Sequence, residues 1–114
     1  MPDRVVRIGS ASAAWGDTVH GARQLVRAGG LDYLVGDYLA EVTMAILARL
    51  RAKADRAGFV PDWLESVRPV LGEIRQRRIR LVSNAGGMNP VACRDAFVEM
   101  AEEAGLEFRV AAIT

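Results

Sequence analysis

The chain is poor in the residues that most small-domain chemistries need. Of its 114 residues one is cysteine, Cys93, and one is histidine, His20. A single cysteine excludes an internal disulfide and fits a cytoplasmic location. One cysteine and one histidine are too few for a structural zinc site. Lysine is nearly absent: Lys53 stands alone among 15 basic residues, and the 14 acids bring the net charge to +1. That balance offers no broad electrostatic footprint for nucleic acid. No apolar run approaches the roughly 20 residues of a membrane span, and Met1-Pro-Asp-Arg4 leads into no signal-peptide core. Expected partners therefore include neither nucleic acid nor a membrane.

What is present is an alternation of short β-like runs and helix-like segments, in a length suited to one domain over residues 1–114. Val5–Ile8 reads as a first strand closed by Gly9-Ser10. A helix capped by Asp17 or Thr18 is expected to run to about Arg27 and to stop at Gly29-Gly30. Leu31–Val35 is the second strand, and a helix from about Leu39 to Ala57 follows, ended by Gly58. Pro61 suits the first turn of the next helix, and Pro69 inside its apolar pattern predicts a break. Arg78–Ser83 is the third strand, Pro90 opens the last helix, and Leu106–Ile113 reads as a fourth strand. The order βαβααβαβ predicts an α/β fold: a three-layer, Rossmann-like open parallel sheet of about four strands with helices on both faces. A strand at the very end of the chain predicts a domain that is incomplete or completed by a partner.

In a parallel sheet all strand ends of one sense share an edge, where open α/β folds bind ligands. The most distinctive strand end is Asn84-Ala-Gly-Gly-Met-Asn-Pro90. Gly86 and Gly87 allow positive backbone torsions and close approach of a ligand, and Asn89 can cap the helix that Pro90 opens. The competing reading is a purely structural turn. After the second strand come Asp37 and Glu41, four residues apart. They suit a general base, a metal ligand or a pair of ribose contacts, or else a helix cap beside a solvated glutamate. A metal held by Asp37 and Glu41 is open, but two carboxylates are too few to name one. The first strand end offers Gly9-Ser-Ala-Ser-Ala-Ala-Trp-Gly16 and Asp17. It lacks both the lysine of GxxxxGK and the spacing of GxGxxG, so it reads as an anion-holding helix entrance or a tight turn. Gly9, Ser10, Trp15 and Asp17 are the candidate ligand contacts there. His20 sits in no nucleophile-elbow pattern, and Cys93 reads as a small apolar helix residue or as a thiol activated at the helix N-terminus. The cluster Arg75-Gln-Arg-Arg-Ile-Arg80 is expected at a helix C-terminus, where it complements the helix dipole, the competing reading being a phosphate or nucleic-acid contact.

Three stretches together resemble a family. Gly9–Asp17, Gly29–Ala48 and Val82–Pro90 look like the N-terminal region of the acyclic terpene utilisation proteins of the AtuA type. The resemblance implies a bacterial cytoplasmic protein of acyclic terpene catabolism, a route that works through CoA thioesters. Carried over residue by residue, it implies shared polar positions at Asp17, Asp37, Glu41, Asn84 and Asn89. It also implies a chain several times longer than this one, and a glycine or aromatic where Ala13 and Ala14 stand. Three functions are open: part or subunit of an enzyme acting on an acyclic terpenoid acid or its CoA thioester, a non-catalytic subunit, or a nucleotide-binding Rossmann-like module. In the first, Asp37, Glu41 and Asn84 are catalytic, with Gly86, Gly87 and Asn89 among the ligand contacts. CoA enters as part of the substrate, and a homo-oligomer or a partner chain is expected.

Overall fold

A computed structural model describes residues 4–114. It contains a parallel sheet of three strands in the order β1-β2-β3, with β1 at Ile8–Ser12, β2 at Tyr33–Gly36 and β3 at Arg80–Ser83. The helices are α1 (Gly21–Ala28), α2 (Glu41–Lys53), α3 (Asp62–Val67), α4 (Leu71–Gln76) and α5 (Pro90–Glu103). The helix expected after Pro61 does break at Pro69: a 3-10 turn over Arg68–Val70 separates α3 from α4. A ring in place of an amide hydrogen removes one ladder bond there and tightens the turn.

The first strand lies further along the chain than its apolar residues suggest. Val5 and Val6 are exposed, whereas Gly9, Ala11 and Ser12 are buried. Small residues are selected here by close packing, since a Cβ on Gly9 would press on Leu25 and Leu31. The start of the pairing is fixed by a clasp. Arg7 N donates to Asp32 Oδ2 at 2.8 Å, and the amides of Asp32 and Tyr33 both donate to Arg7 O.

Register shows which sheet face is covered. Ile8, Tyr33 and Arg80 lie abreast, as do Ser10, Val35 and Val82. The alternate row, Gly9, Leu34 and Leu81, points the other way. Leu34 is fully buried, and on its face α1 supplies Leu25 against Gly9 and α3 supplies Trp63 against Gly36. On the opposite face Ile8 is 65% exposed and Val82 54%, with Ser10 and Arg80 also exposed. The expectation of helices on both faces is corrected accordingly. Two successive right-handed crossovers that add strands in one direction lay their helices on the same side. An arginine partly shields the open face: Arg80 lies over the Tyr33 ring and donates to its hydroxyl at 3.3 Å.

The fourth expected strand is absent from the sheet among the described residues. Residues 106–112 do alternate between half-buried and exposed, as a strand would. They are held by side chains instead of a ladder. Phe108 meets Phe97 edge-on at 5.4 Å, and Arg75 Nε donates to Glu107 O at 3.0 Å. Two arginines of the basic cluster at the end of α4 thus bond the molecule's own backbone, since Arg77 also donates to Val26 O.

Candidate functional site

The C-terminal edge of the sheet is sewn together by the Ser83 and Asn84 side chains and by a backbone bond to the end of β1. Ser83 Oγ donates to Gly36 O at 2.7 Å and accepts from Ala85 N at 3.0 Å. Asp37 N donates to Ser12 O at 3.1 Å. Asn84 bridges β3 to the turn after β2: its Oδ1 accepts from Tyr38 N at 2.9 Å and its Nδ2 donates to Asp37 Oδ1 at 2.8 Å. The asparagine fixes the backbone and the carboxylate of that turn at once. Asp37 itself is exposed and is not the cap of α2, whose N-cap position is Ala40 with no side-chain bond. Glu41 lies in the first turn of α2, and among the described residues no side-chain bond joins it to Asp37 or Asn84.

The glycine-rich turn after β3 is closed on itself. A Cβ on Gly86 would press on Pro90 at 2.8 Å, and Gly87 has φ +53 with Leu47 and Gly58 O packed against it. Met88 N donates to Gly58 O and Val60 N to Ala85 O. Asn89 caps α5 by accepting from Ala92 N, as the sequence suggests, and its Nδ2 donates to both Asp55 O and Ala57 O at 2.9 Å. Its amide is fully engaged by the protein.

The turn after β1 is different. The expected helix start at Asp17 or Thr18 is displaced to Gly21, because both side chains serve the turn itself. Asp17 Oδ2 accepts from Ala13 N at 3.0 Å, and Thr18 Oγ1 accepts from His20 N at 3.0 Å. The register slips between Ser10 and Ser12, so Ala11 and Ser12 are both buried. Such a bulge re-aims one side chain inward. Two clefts flank the result. One, of about 410 Å³, is lined by Ser10, Ser12, Asp17, Thr18, Gln24 and Leu25, among others. The other, of about 310 Å³, is lined by residues 16–20 and Asp62. Asp17 and Thr18 are common to both, and neither cleft is lined by lysine or arginine. Trp15 is half-buried against the core, while Gly9 lies inside β1 under α1.

Close to Ser12, Asp17 and Asp62 of the cleft linings lies a buried polar group. Tyr38 is 1% exposed and packs edge-on to Trp63, with ring centroids 6.2 Å apart. Its hydroxyl and that of Ser66 are buried without a partner of hydrogen-bond geometry. Burial pushes the Tyr38 phenol up to about 12; the charge of Asp62 adds to the rise, the nearby Ser66 and Ser12 hydroxyls offset part of it, and Asp17 adds slightly. Orphaned buried hydroxyls are uncommon, and each calls for a physical account such as a water or a ligand. Ser66 and Asp62 escaped the sequence reading. They lie four apart on α3, one helical face, but nothing local in the sequence says that this face meets Tyr38. Cys93 is buried, and burial pushes its thiol up to about 11. It is an apolar core residue, as its helical spacing suggests. Among the described residues no group of three or more His, Cys, Asp or Glu side chains is placed to hold a metal ion.

Comparison with curated proteins and with solved structures returned no match. Comparison with family patterns returned one, the Acyclic terpene utilisation family protein AtuA, matched over residues 6–114. That span takes in all three strands, every turn described above and the helices between them. The chain belongs to the acyclic terpene utilisation (AtuA) family.

Proposed function

We propose that this chain is part or a subunit of an enzyme of acyclic terpene utilisation, and that it holds an acyclic terpenoid acid, free or as its CoA thioester, at the C-terminal edge of its sheet. The observation that carries this reading is the turn after β1. Its clefts combine apolar wall (Ala11, Leu25) with polar groups (Ser10, Gln24, Thr18), and Ser12, Asp17 and Asp62 of their linings neighbour the buried Tyr38. The larger cleft is an open groove of about 410 Å³. Membership of the acyclic terpene utilisation family supports a ligand of that class. The absence of lysine and arginine from the cleft linings favours the acyl portion there, with CoA phosphates outside. Asp37 is the group we assign to proton transfer. Asn84 is its positioning residue through the 2.8 Å bond, and Glu41 a second carboxylate along the same edge. Gly86, Gly87 and Asn89 shape the neighbouring rim.

A second reading is a non-catalytic subunit that needs a partner chain. The open sheet face with exposed Ile8 and Val82 favours it, because such apolar surface gains from a cover.

The test is amide chemical-shift mapping of the chain titrated with citronellic acid and with its CoA thioester, against a straight-chain acid of equal length. Saturable shifts at Ala13, Asp17 and Gln24, with affinity lowered about tenfold in Asp17→Asn (about 1.4 kcal/mol), are expected. Shifts confined to other surfaces, or no difference between branched and straight chains, overturn the reading.

A further inference from the structure

The segment between β1 and α1 is tied to itself and hardly to the rest of the molecule. Its two ends meet: Gly21, the first residue of α1, lies so close to β1 that a Cβ there would collide with Ala11 O. Between those ends, among the described residues, every hydrogen bond of residues 13–19 stays within Ser12–His20. Ala13 N donates to Asp17 Oδ2, Asp17 N and Ser12 Oγ both donate to Ala14 O, and His20 N donates to Thr18 Oγ1. Among the described residues no ion pair reaches the segment. A surface loop with joined ends and its own internal bonding is an Ω-loop, and these bonds survive if it moves as one body. One apolar side chain fastens it. Trp15 is half-buried and packs on the core, whereas Val19 is 37% exposed and Ala13 and Ala14 are exposed.

We propose that residues 13–20 are a gate latched by Trp15, which swings about the Ala11–Gly21 neck and opens the space around the Tyr38 and Ser66 hydroxyls to the ligand. Three observations carry it. Asp17 and Thr18 line both clefts, so the loop divides them, and displacing it joins them into one groove. Ser12, at the root of the loop, and Asp17, within it, are among the neighbours of the Tyr38 phenol. That phenol and Ser66 Oγ are buried with no partner of hydrogen-bond geometry, an arrangement that gains from a polar group arriving from outside. Both hydroxyls can donate to the carboxyl or thioester oxygen that the ligand reading supplies. A segment held by few buried apolar contacts sits at the low-stability end of a fold, so release of one half-buried indole opens the loop well before the core unfolds. The inference rests on the ligand reading only for what enters; the motion itself needs no ligand.

Chemical labelling of the intact chain at neutral pH tests it. N-acetylimidazole modifies accessible phenols, and mass spectrometry separates Tyr38 from Tyr33. The buried Cys93 thiol, on α5, reports global opening to a disulfide reagent. Each rate is taken relative to the same residue in urea. In the wild-type chain Tyr38 is expected to be less protected than Cys93. Trp15→Ala is expected to speed Tyr38 labelling about tenfold and Trp15→Phe severalfold, with Tyr33 and Cys93 unchanged. If Trp15→Ala does not fold, the wild-type comparison and Trp15→Phe decide. Equal protection of Tyr38 and Cys93, a Tyr38 rate indifferent to both Trp15 variants, or one that rises only together with Cys93 overturns the gate. Saturable acid binding with an unresponsive Tyr38 rejects the gate alone, whereas a responsive Tyr38 without acid binding rejects the ligand and leaves the gate standing.

Discussion

The turns after β1 and after β3 leave the same edge of one sheet and end in helices, yet they are opposite in kind. The turn after β3 carries the richer motif, with two glycines and two asparagines in seven residues. Its glycines are needed because Leu47, Gly58 and Pro90 occupy the space a Cβ would take, and its asparagine amides are bonded to the chain's own backbone and to Asp37. The turn after β1 carries the poorer motif and the open clefts. Glycine and asparagine thus mark places where backbone approaches closely, and the approaching group is as readily the protein as a ligand. An open cleft with mixed polar and apolar lining marks a site more directly.

The contrast is broken most easily at Gly87. Gly87→Ala forces a side chain into a positive-φ position against Leu47 and Gly58 O. It is expected to lower unfolding free energy by about 3 kcal/mol in urea titration, combining backbone and overpacking costs. Retention of wild-type stability would show that the turn has slack. Next comes the pair of asparagines. Asn89→Ala loses a helix cap and two bonds to loop carbonyls and is expected to cost about 2 kcal/mol, against about 1 kcal/mol for Asn84→Ala. The reverse ranking would mean that the Asn84 bridge holds more of the fold than its exposure implies.

Alkaline pH distinguishes the buried interior from both turns with a smaller effect. Tyr38 and Cys93 each hold their proton more tightly in the folded chain, at about 12 and about 11 against 10.0 and 9.0 unfolded. Their contribution is therefore fully present below pH 9 and is lost between about pH 9 and 12, as the unfolded chain ionises first. Tyr38→Phe is expected to remove the tyrosine part of that loss at little cost near pH 7, because the hydroxyl it deletes is unpartnered. Ultraviolet titration of tyrosinate alongside thermal melts reads both. A clear loss of stability near pH 7 in Tyr38→Phe would show instead that the hydroxyl is satisfied, by a bound water or by Ser66.

Much of the architecture was legible along the chain. Pro61, Pro69 and Pro90 sit where helices begin or break, and Asn89 caps α5 as a residue before Pro suggests. The element order through α5 and the parallel pairing followed from alternating short apolar runs and helical segments. Errors arose where a residue's role depends on distant groups. Val5 and Val6 look like strand, but pairing with Tyr33–Gly36 begins only at Ile8. Leu106–Ile113 alternates like a strand, but its neighbours meet it through Phe97 and Arg75 and not through a ladder.

Local patterning, helix signals and family membership were thus determined by the sequence itself, because each rests on residues close together or on long matched stretches. Only the tertiary structure decided which sheet face is left open, which turn is spent on its own packing, and that the buried Tyr38 and Ser66 lie beside the half-buried Asp62. Those outcomes depend on the direction in which strands are added and on contacts between residues tens of positions apart, and no local pattern encodes either.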